Sequence, residues 1–171
     1  DGRRVCVGGW GFPVGDEGSG AWLGLHALRL AHHAADGRAS VGPLARSIWD
    51  ITGATRTEML AWGKGATQFV YAQLAPVVFE TAAADPKAAE LLHAAAAALH
   101  LLVIGMDSTS NLPICVLGSV GRRLQPLLPE QTRARCVEPA ADAVAGALLM
   151  IREDIAEPPN TTEFLTDKAN S

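Results

Sequence analysis

Apolar residues recur at helical spacing along most of the chain, beginning with Trp22, Leu25 and Leu28. Between these runs lie glycine and proline signals, such as Asp36-Gly37 and Asp85-Pro86, that end or begin helices. Helices are predicted over residues 19–34, 43–51, 55–62, 67–84, 86–104, 120–127 and 140–155. Pro76 lies inside the fourth of these runs, so that helix must kink or divide in two.

Three short segments are predicted as strands, namely the apolar runs 5–7 and 113–117 and the segment 135–139. The run 113–117 shows no alternation, which is typical of a central strand covered on both faces. The run 5–7 has no neighbouring strand of its own, so the pattern indicates part of a larger α/β unit. We expect residues 1–156 to form one lobe and the polar residues 157–171 to form a loose tail.

Composition narrows the class of protein. The 171 residues are 49% hydrophobic and 19% charged, as in a globular domain, and the net charge of −4 argues against a nucleic-acid partner. The longest apolar run, 91–104, is interrupted by His93 and His100, so no membrane span is expected. Cys6, Cys115 and Cys136 are scattered, which favours reduced, buried thiols in a cytoplasmic protein. The histidines lack a third ligand at metal-binding spacing, so no metal site is predicted.

The segment GGWGFPVGDEGSGAW, residues 8–22, places six glycines just before the first predicted helix. Glycines expose backbone N–H groups to a ligand, either a phosphate or a polyhydroxy compound. Asp16 and Glu17 would repel a phosphate unless a metal intervened, whereas carboxylates accept hydrogen bonds from sugar hydroxyls. Alternatively, Asp16 caps the helix, Glu17 complements its dipole, and Trp10 fills a core edge rather than stacking on a sugar.

A second glycine turn lies in ICVLGSVGRRL, residues 114–124, where the predicted strand 113–117 opens into a helix. Ligands of open α/β sheets lie beyond the carboxyl ends of strands. Gly118-Ser119 could therefore receive a nucleotide, with Arg122 or Arg123 beside it. The alternative is a tight strand-to-helix turn without a ligand.

The segment GGWGFPVGDEGSGAWLG resembles the signature of the N-acetylglucosamine/glucosamine kinase group in the BadF/BadG/BcrA/BcrD-type ATPase family. PICVLGSVGRRL resembles that family's adenosine-binding motif, with Gly118-Ser119 in place of its usual Gly-Gly, and PAADAVAGALLM resembles its closing helix. The resemblance covers residues 5–155. It implies an α/β fold of the actin–hexokinase (ribonuclease H-like) type, of which this chain is the C-terminal lobe, helix-rich with few short strands.

The resemblance also implies an activity, namely ATP- and Mg²⁺-dependent phosphorylation of N-acetylglucosamine or glucosamine at the 6-hydroxyl. The residues that it assigns to the sugar are Gly9, Trp10, Gly11 and Asp16. Those that it assigns to the nucleotide are Gly118, Ser119, Val120, Arg122 and Thr67. The family's N-terminal half, which carries the general base, is outside these residues, so no catalytic residue is expected in this chain and the chain alone is expected to be inactive.

Two other functions remain open at this point. One is a non-catalytic sugar-binding or sensor lobe. The other is an activator ATPase of an acyl-CoA dehydratase or reductase, which carries an iron–sulfur cluster and so needs clustered, exposed cysteines. A homodimer through the alanine-rich helix at 88–99 is also possible. The sequence does not choose between glucosamine and N-acetylglucosamine.

Overall fold

The computed structural model describes residues 5–156, and most of these residues are helical. The helices are α1 Gly20–Ala35, α2 Pro43–Thr52, α3 Arg56–Gly65, α4 Gln68–Ala72, α5 Ala75–Thr81, α6 Pro86–Met106, α7 Ser119–Leu124, α8 Glu130–Arg133 and α9 Ala143–Ala156. The backbone divides into two compact units, one ending at Val137 and one beginning at Glu138. The predicted tail, 157–171, lies outside the described residues.

Most predicted helices are confirmed, and local signals set their ends. Ser19 is the N-cap of α1 and accepts a hydrogen bond from the Trp22 N–H. Pro43 is the first residue of α2. Thr55 and Glu58 form a reciprocal capping box at the start of α3.

The predicted helix over 67–84 is divided, because α4 ends at Ala72 and α5 begins at Ala75. Pro76 lies in the first turn of α5, where its missing N–H costs no hydrogen bond. The helix predicted over 120–127 consists of α7 followed by a 3-10 turn at Gln125–Leu127. The short helix α8 was not predicted.

The strand predictions are wrong in detail. Within residues 5–156 the backbone forms a single isolated parallel bridge, between Ile114 and Cys136, and no extended strand. The Ile114 N–H donates to the Arg135 carbonyl at 2.9 Å, and the Val137 N–H donates to the Ile114 carbonyl at 2.8 Å. The predicted strands 113–117 and 135–139 therefore meet at one point, while residues 5–7 have no strand partner in the described part.

The expectation that both faces of 113–117 are covered is also wrong. Ile114 and Val116 are half-buried, whereas Cys115 and Leu117 are exposed. The sequence of this run shows no alternation of polar and apolar residues, because the side chains that face water, Cys115 and Leu117, are apolar as well. Cys6 is exposed as well, so the prediction of buried thiols fails for two of the three cysteines. Burial raises the pKa of the third thiol, that of Cys136.

Helix α1 lies at the centre of the core and packs against α2, α4, α5 and α6. The fully buried large side chains of this core include Leu23, Leu44, Ile48, Leu74 and Val78. A Cβ at Gly24 would lie 1.8 Å from the Tyr71 carbonyl oxygen, so only glycine allows α1 and α4 to approach this closely.

Asp85 joins two helices. Its side chain is N-cap to α6, where Oδ1 accepts from the Lys87 N–H at 2.9 Å. Its other oxygen, Oδ2, accepts from the Leu44 N–H at the start of α2 at 2.8 Å. The residue is only 4% exposed, so both bonds lie away from water.

Helix α6 meets a length and composition criterion that the interruptions at His93 and His100 were expected to prevent. The helix has 21 residues, and an 18-residue stretch of it has a mean hydropathy of 1.7, so by length and composition alone it could cross a membrane. Its buried residues, Ala88, Leu91, Leu92, Ala95 and Ala96, contribute to the core beside α5 and α1. A core helix passes the same test as a membrane span, so this feature is weak evidence for a membrane.

Candidate functional site

The glycine loop before α1 depends on backbone conformations that L-residues rarely adopt. Positive φ angles occur at Gly8, Gly9, Gly11, Asp16 and Gly18. The Gly15 N–H donates to the Gly11 carbonyl at 2.7 Å and closes the loop. A Cβ at Gly9 or Gly11 would meet no atom within 4 Å, so their side of the backbone is open.

Asp16 is held by two side chains. Its Oδ2 atom accepts from Ser19 Oγ at 2.8 Å and from Gln68 Nε2 at 2.8 Å. The Oδ1 atom accepts no hydrogen bond from the described residues. The carboxylate is thus fixed in orientation through one oxygen, and the other oxygen is available to a hydroxyl donor.

Asp16 does not cap α1, which corrects one of the sequence alternatives. The N-cap is Ser19, three residues later, and Glu17 also precedes the helix. Asp16 orients the cap instead, because it accepts the hydrogen bond that the Ser19 hydroxyl donates. The Ser19 hydroxyl thus accepts from the Trp22 N–H in the first turn of α1 and donates to a single oxygen of the Asp16 carboxylate.

Two shallow depressions flank the start of α1. One, of about 350 Å³, lies on the Asp16 side and is lined by Asp16, Ser19, Gly20, Ala21, Gln68, Phe69 and Ala72. The other, of about 400 Å³, is lined by Glu17, Gly18, Ser19, Gly20, Leu99, Leu117, Gly118, Ser119, Val120 and Gly121. Both share Ser19 and Gly20, so a ridge of two small residues separates them.

The fold therefore brings part of the predicted site together. Asp16 lines one depression, and Gly118, Ser119 and Val120 line the adjacent one. These two segments are about a hundred residues apart in sequence and meet because Val120 packs near Gly20 at the start of α1.

Other predicted residues lie elsewhere. Five of them are exposed and line neither depression, namely Gly9, Trp10, Gly11, Thr67 and Arg122. Trp10 is 86% exposed, so the alternative that it fills a core edge is wrong. Thr67 lies next to Gln68 on the Asp16 side rather than beside Gly118.

The two arginines after the second glycine turn differ. The Arg123 guanidinium lies 3.9 Å from the centre of the Phe79 ring, so it stacks on the helical core. Arg122 is exposed, and its side chain has no hydrogen-bond partner among the described residues. Gly118 has a φ of 83°, which explains why glycine precedes α7.

Sequence reasoning missed Ser19 and Gln68. Ser19 had a signal, since serine is a favoured N-cap and the apolar run begins at Trp22. Gln68 had none, because its hydrogen bond to Asp16 spans 52 residues. In residues 5–156, no three His, Cys, Asp or Glu side chains gather as ligands for a metal ion.

Comparison with known proteins places this chain in a family. The sequence profile of the BadF/BadG/BcrA/BcrD ATPase family matches residues 1–150. Glucosamine kinase GspK of Vibrio cholerae serotype O1 is 34% identical over 149 residues, which are 86% of this chain and 51% of that protein.

A solved structure gives the same result. The crystal structure of a Chromobacterium violaceum protein assigned as an N-acetylglucosamine kinase superposes with a TM-score of 0.80 at 42% identity, over 84% of this chain and 50% of that one. The chain thus spans about half the length of these relatives. It belongs to the BadF/BadG/BcrA/BcrD ATPase family.

Proposed function

We propose that this chain supplies the C-terminal, actin-like lobe of an ATP-dependent kinase that phosphorylates glucosamine or N-acetylglucosamine at the 6-hydroxyl. The observation that carries the proposal is the pair of depressions that share the ridge Ser19–Gly20. A phosphoryl transfer needs its donor and acceptor side by side, and the ridge would separate them by only two small residues.

On the sugar side, Asp16 would accept hydrogen bonds from hydroxyl groups through Oδ1. The bonds from Ser19 and Gln68 to Oδ2 pre-orient the carboxylate, so little side-chain freedom would be lost on binding. The glycine loop would make further contacts with the sugar. These would come from the open side of the backbone at Gly9 and Gly11 and from the exposed Trp10 ring.

On the nucleotide side, Gly118, Ser119 and Val120 would lie against ATP, with Arg122 nearby. Thr67, next to Gln68 on the Asp16 side, would not lie beside it. The space beside Gly118 suits a ligand, since a Cβ there would meet no atom within 4 Å and the adjoining depression holds about 400 Å³. ATP with Mg²⁺ would supply the phosphoryl group, and the protein's task would be chiefly to position it. Use of ATP fits a cytoplasmic location.

Binding of the sugar by this chain is the first test. Titration calorimetry with N-acetylglucosamine, glucosamine and glucose should show binding of an amino sugar. Asp16→Asn should weaken that binding at least tenfold, because Asn tolerates the positive φ but lacks the charge. Asp50→Asn, at an exposed position on α2, is the matched control. Unchanged affinity in the Asp16 variant would contradict the proposal.

Turnover is the second test and separates a kinase from a non-catalytic sugar-binding lobe. A coupled assay of ADP release should give no turnover with the 171 residues alone, since no general base is proposed among them. The whole polypeptide that contains these residues should turn over, and Asp16→Asn should abolish most of that activity. Sugar binding by the whole polypeptide without ADP release would favour the sensor instead.

A further inference from the structure

A groove between α1 and α3 shares no lining residue with the two depressions. It consists of two adjoining cavities of about 410 and 550 Å³, which share His32, Met59 and Leu60. Cavities of about 300–1,000 Å³ are typical of small-molecule sites. The groove thus has the size of a binding site without being part of the proposed kinase site.

The floor of the groove is apolar. Leu28 and Met59 lie beneath it and are 3% and 4% exposed. Leu60 borders both cavities, and 61% of it is exposed to water. A large apolar side chain beside a concave apolar floor offers surface that a hydrocarbon or aryl group would remove from water.

The rim of the groove is cationic. Arg29, Lys64, Arg38 and Arg56 line the two cavities, and Asp36 is the one carboxylate among the lining residues. Asp36 is already paired with Arg38 at 2.6 Å. Arg29, Lys64 and Arg56 have no ion-pair partner in the part of the chain that the structure describes. This positive excess is local, because the chain as a whole carries a net charge of −4.

We propose that the groove between α1 and α3 binds a small amphiphilic anion, whose apolar body covers Leu60 and whose phosphate-type head group is attracted to the cationic rim, which Arg29 supplies at one cavity and Arg56 at the other. Charge complementarity selects the head group, and the apolar floor selects the body. A docked peptide helix fits less well, because it places a row of apolar anchors over two or more turns. The lining residues of the groove offer one large exposed apolar side chain to such a row, that of Leu60.

The probe for this proposal is n-octyl phosphate, used below its micelle concentration with the whole 171-residue chain. Calorimetry should show saturable binding, at least tenfold tighter than the binding of inorganic phosphate or of n-octanol. Amide shifts in NMR spectra should concentrate at Leu60, Gly63 and Lys64. Absence of saturable binding, equal affinity for inorganic phosphate, or shifts centred on Gly118 would overturn the proposal.

Charge reversal tests the rim directly. The double variant Arg29→Glu/Arg56→Glu should bind octyl phosphate about tenfold more weakly, since each cavity then has an anion in place of a rim cation. Both positions are exposed, and Arg56 is the first residue of α3, where an acid suits the helix dipole.

The matched control is Arg152→Glu on α9, which should bind like the parent. If circular dichroism shows that the double variant is misfolded, two separate variants replace it, Arg29→Gln/Arg56→Gln and Leu60→Ser. Each of them should bind octyl phosphate more weakly than the parent. Parent-like affinity in the folded groove variants refutes the site.

Discussion

Asp85 offers the sharpest test of how this fold is held together. Replacing it by alanine removes both hydrogen bonds of the carboxylate, one to Lys87 N–H in α6 and one to Leu44 N–H in α2. Hydrogen bonds to a charged group contribute ~1.5–3 kcal/mol each, so Asp85→Ala should lower the free energy of unfolding by ~3–6 kcal/mol. With a urea slope of ~2 kcal/mol/M, the unfolding midpoint should fall by ~2 M.

A serine at the same position divides the two contributions. Serine is a good N-cap, so Asp85→Ser keeps the bond within α6 but cannot span the distance to α2. Its loss of stability should be about half that of Asp85→Ala, measured by urea unfolding followed by circular dichroism. Asp50→Ala, at an exposed position on α2, controls for loss of a charge. A midpoint shift below ~0.5 M for Asp85→Ala would refute the reasoning.

Three further changes have expected outcomes. Gly24→Ala should lower the melting temperature, because its Cβ would lie 1.8 Å from the Tyr71 carbonyl oxygen. The control Gly146→Ala, in open space within α9, should leave the melting temperature unchanged. Equal melting temperatures for the two variants would contradict the close approach of α1 and α4. Burial raises the pKa of Cys136, so iodoacetamide at pH 8 should alkylate it more slowly than the exposed Cys115, as mass spectrometry of timed samples would reveal. Burial also lowers the pKa of His32 below its ordinary value of 6.5, and a histidine depressed in the folded state is charged more readily in the unfolded state. His32 should therefore reduce stability as the pH falls through 6.5, its NMR titration midpoint should lie below 6.5, and His32→Gln should flatten that pH dependence.

The helices could be predicted because their signals are local. Asp85-Pro86 begins α6, and Gly37 with a φ of 73° follows the end of α1, within a residue or two of where the sequence indicates. Pro76 predicted that the run 67–84 either kinks or divides. The run divides, because proline is best tolerated in the first turn of a helix, here that of α5. These features depend on neighbours in sequence and not on the tertiary fold.

The strands and half of the site could not be predicted in the same way. Backbone pairing at Ile114 depends on Arg135 and Val137, more than twenty residues later, and an apolar run does not reveal whether its neighbours complete a ladder. Asp16 could be singled out by its charge within a glycine loop, but its partner Gln68 is an ordinary polar residue at a distant position. The exposure of Trp10 is likewise set by tertiary packing that the sequence pattern does not contain.

Helix α4 is only five residues long, and helices this short are not stable on their own. It carries Gln68, which bonds Asp16, and Tyr71, whose ring centre lies 5.3 Å from that of Phe12 and 5.5 Å from that of Trp62. A single proteolytic nick between Ala66 and Gln73 would thus weaken two distant contacts of the glycine loop at once, whereas Gly8 and Gly18 would still lie against Leu102 and Leu99 of α6. The conformation of residues 8–18 is encoded in part some fifty residues downstream, and a graft of the loop into another scaffold would need α4 to travel with it.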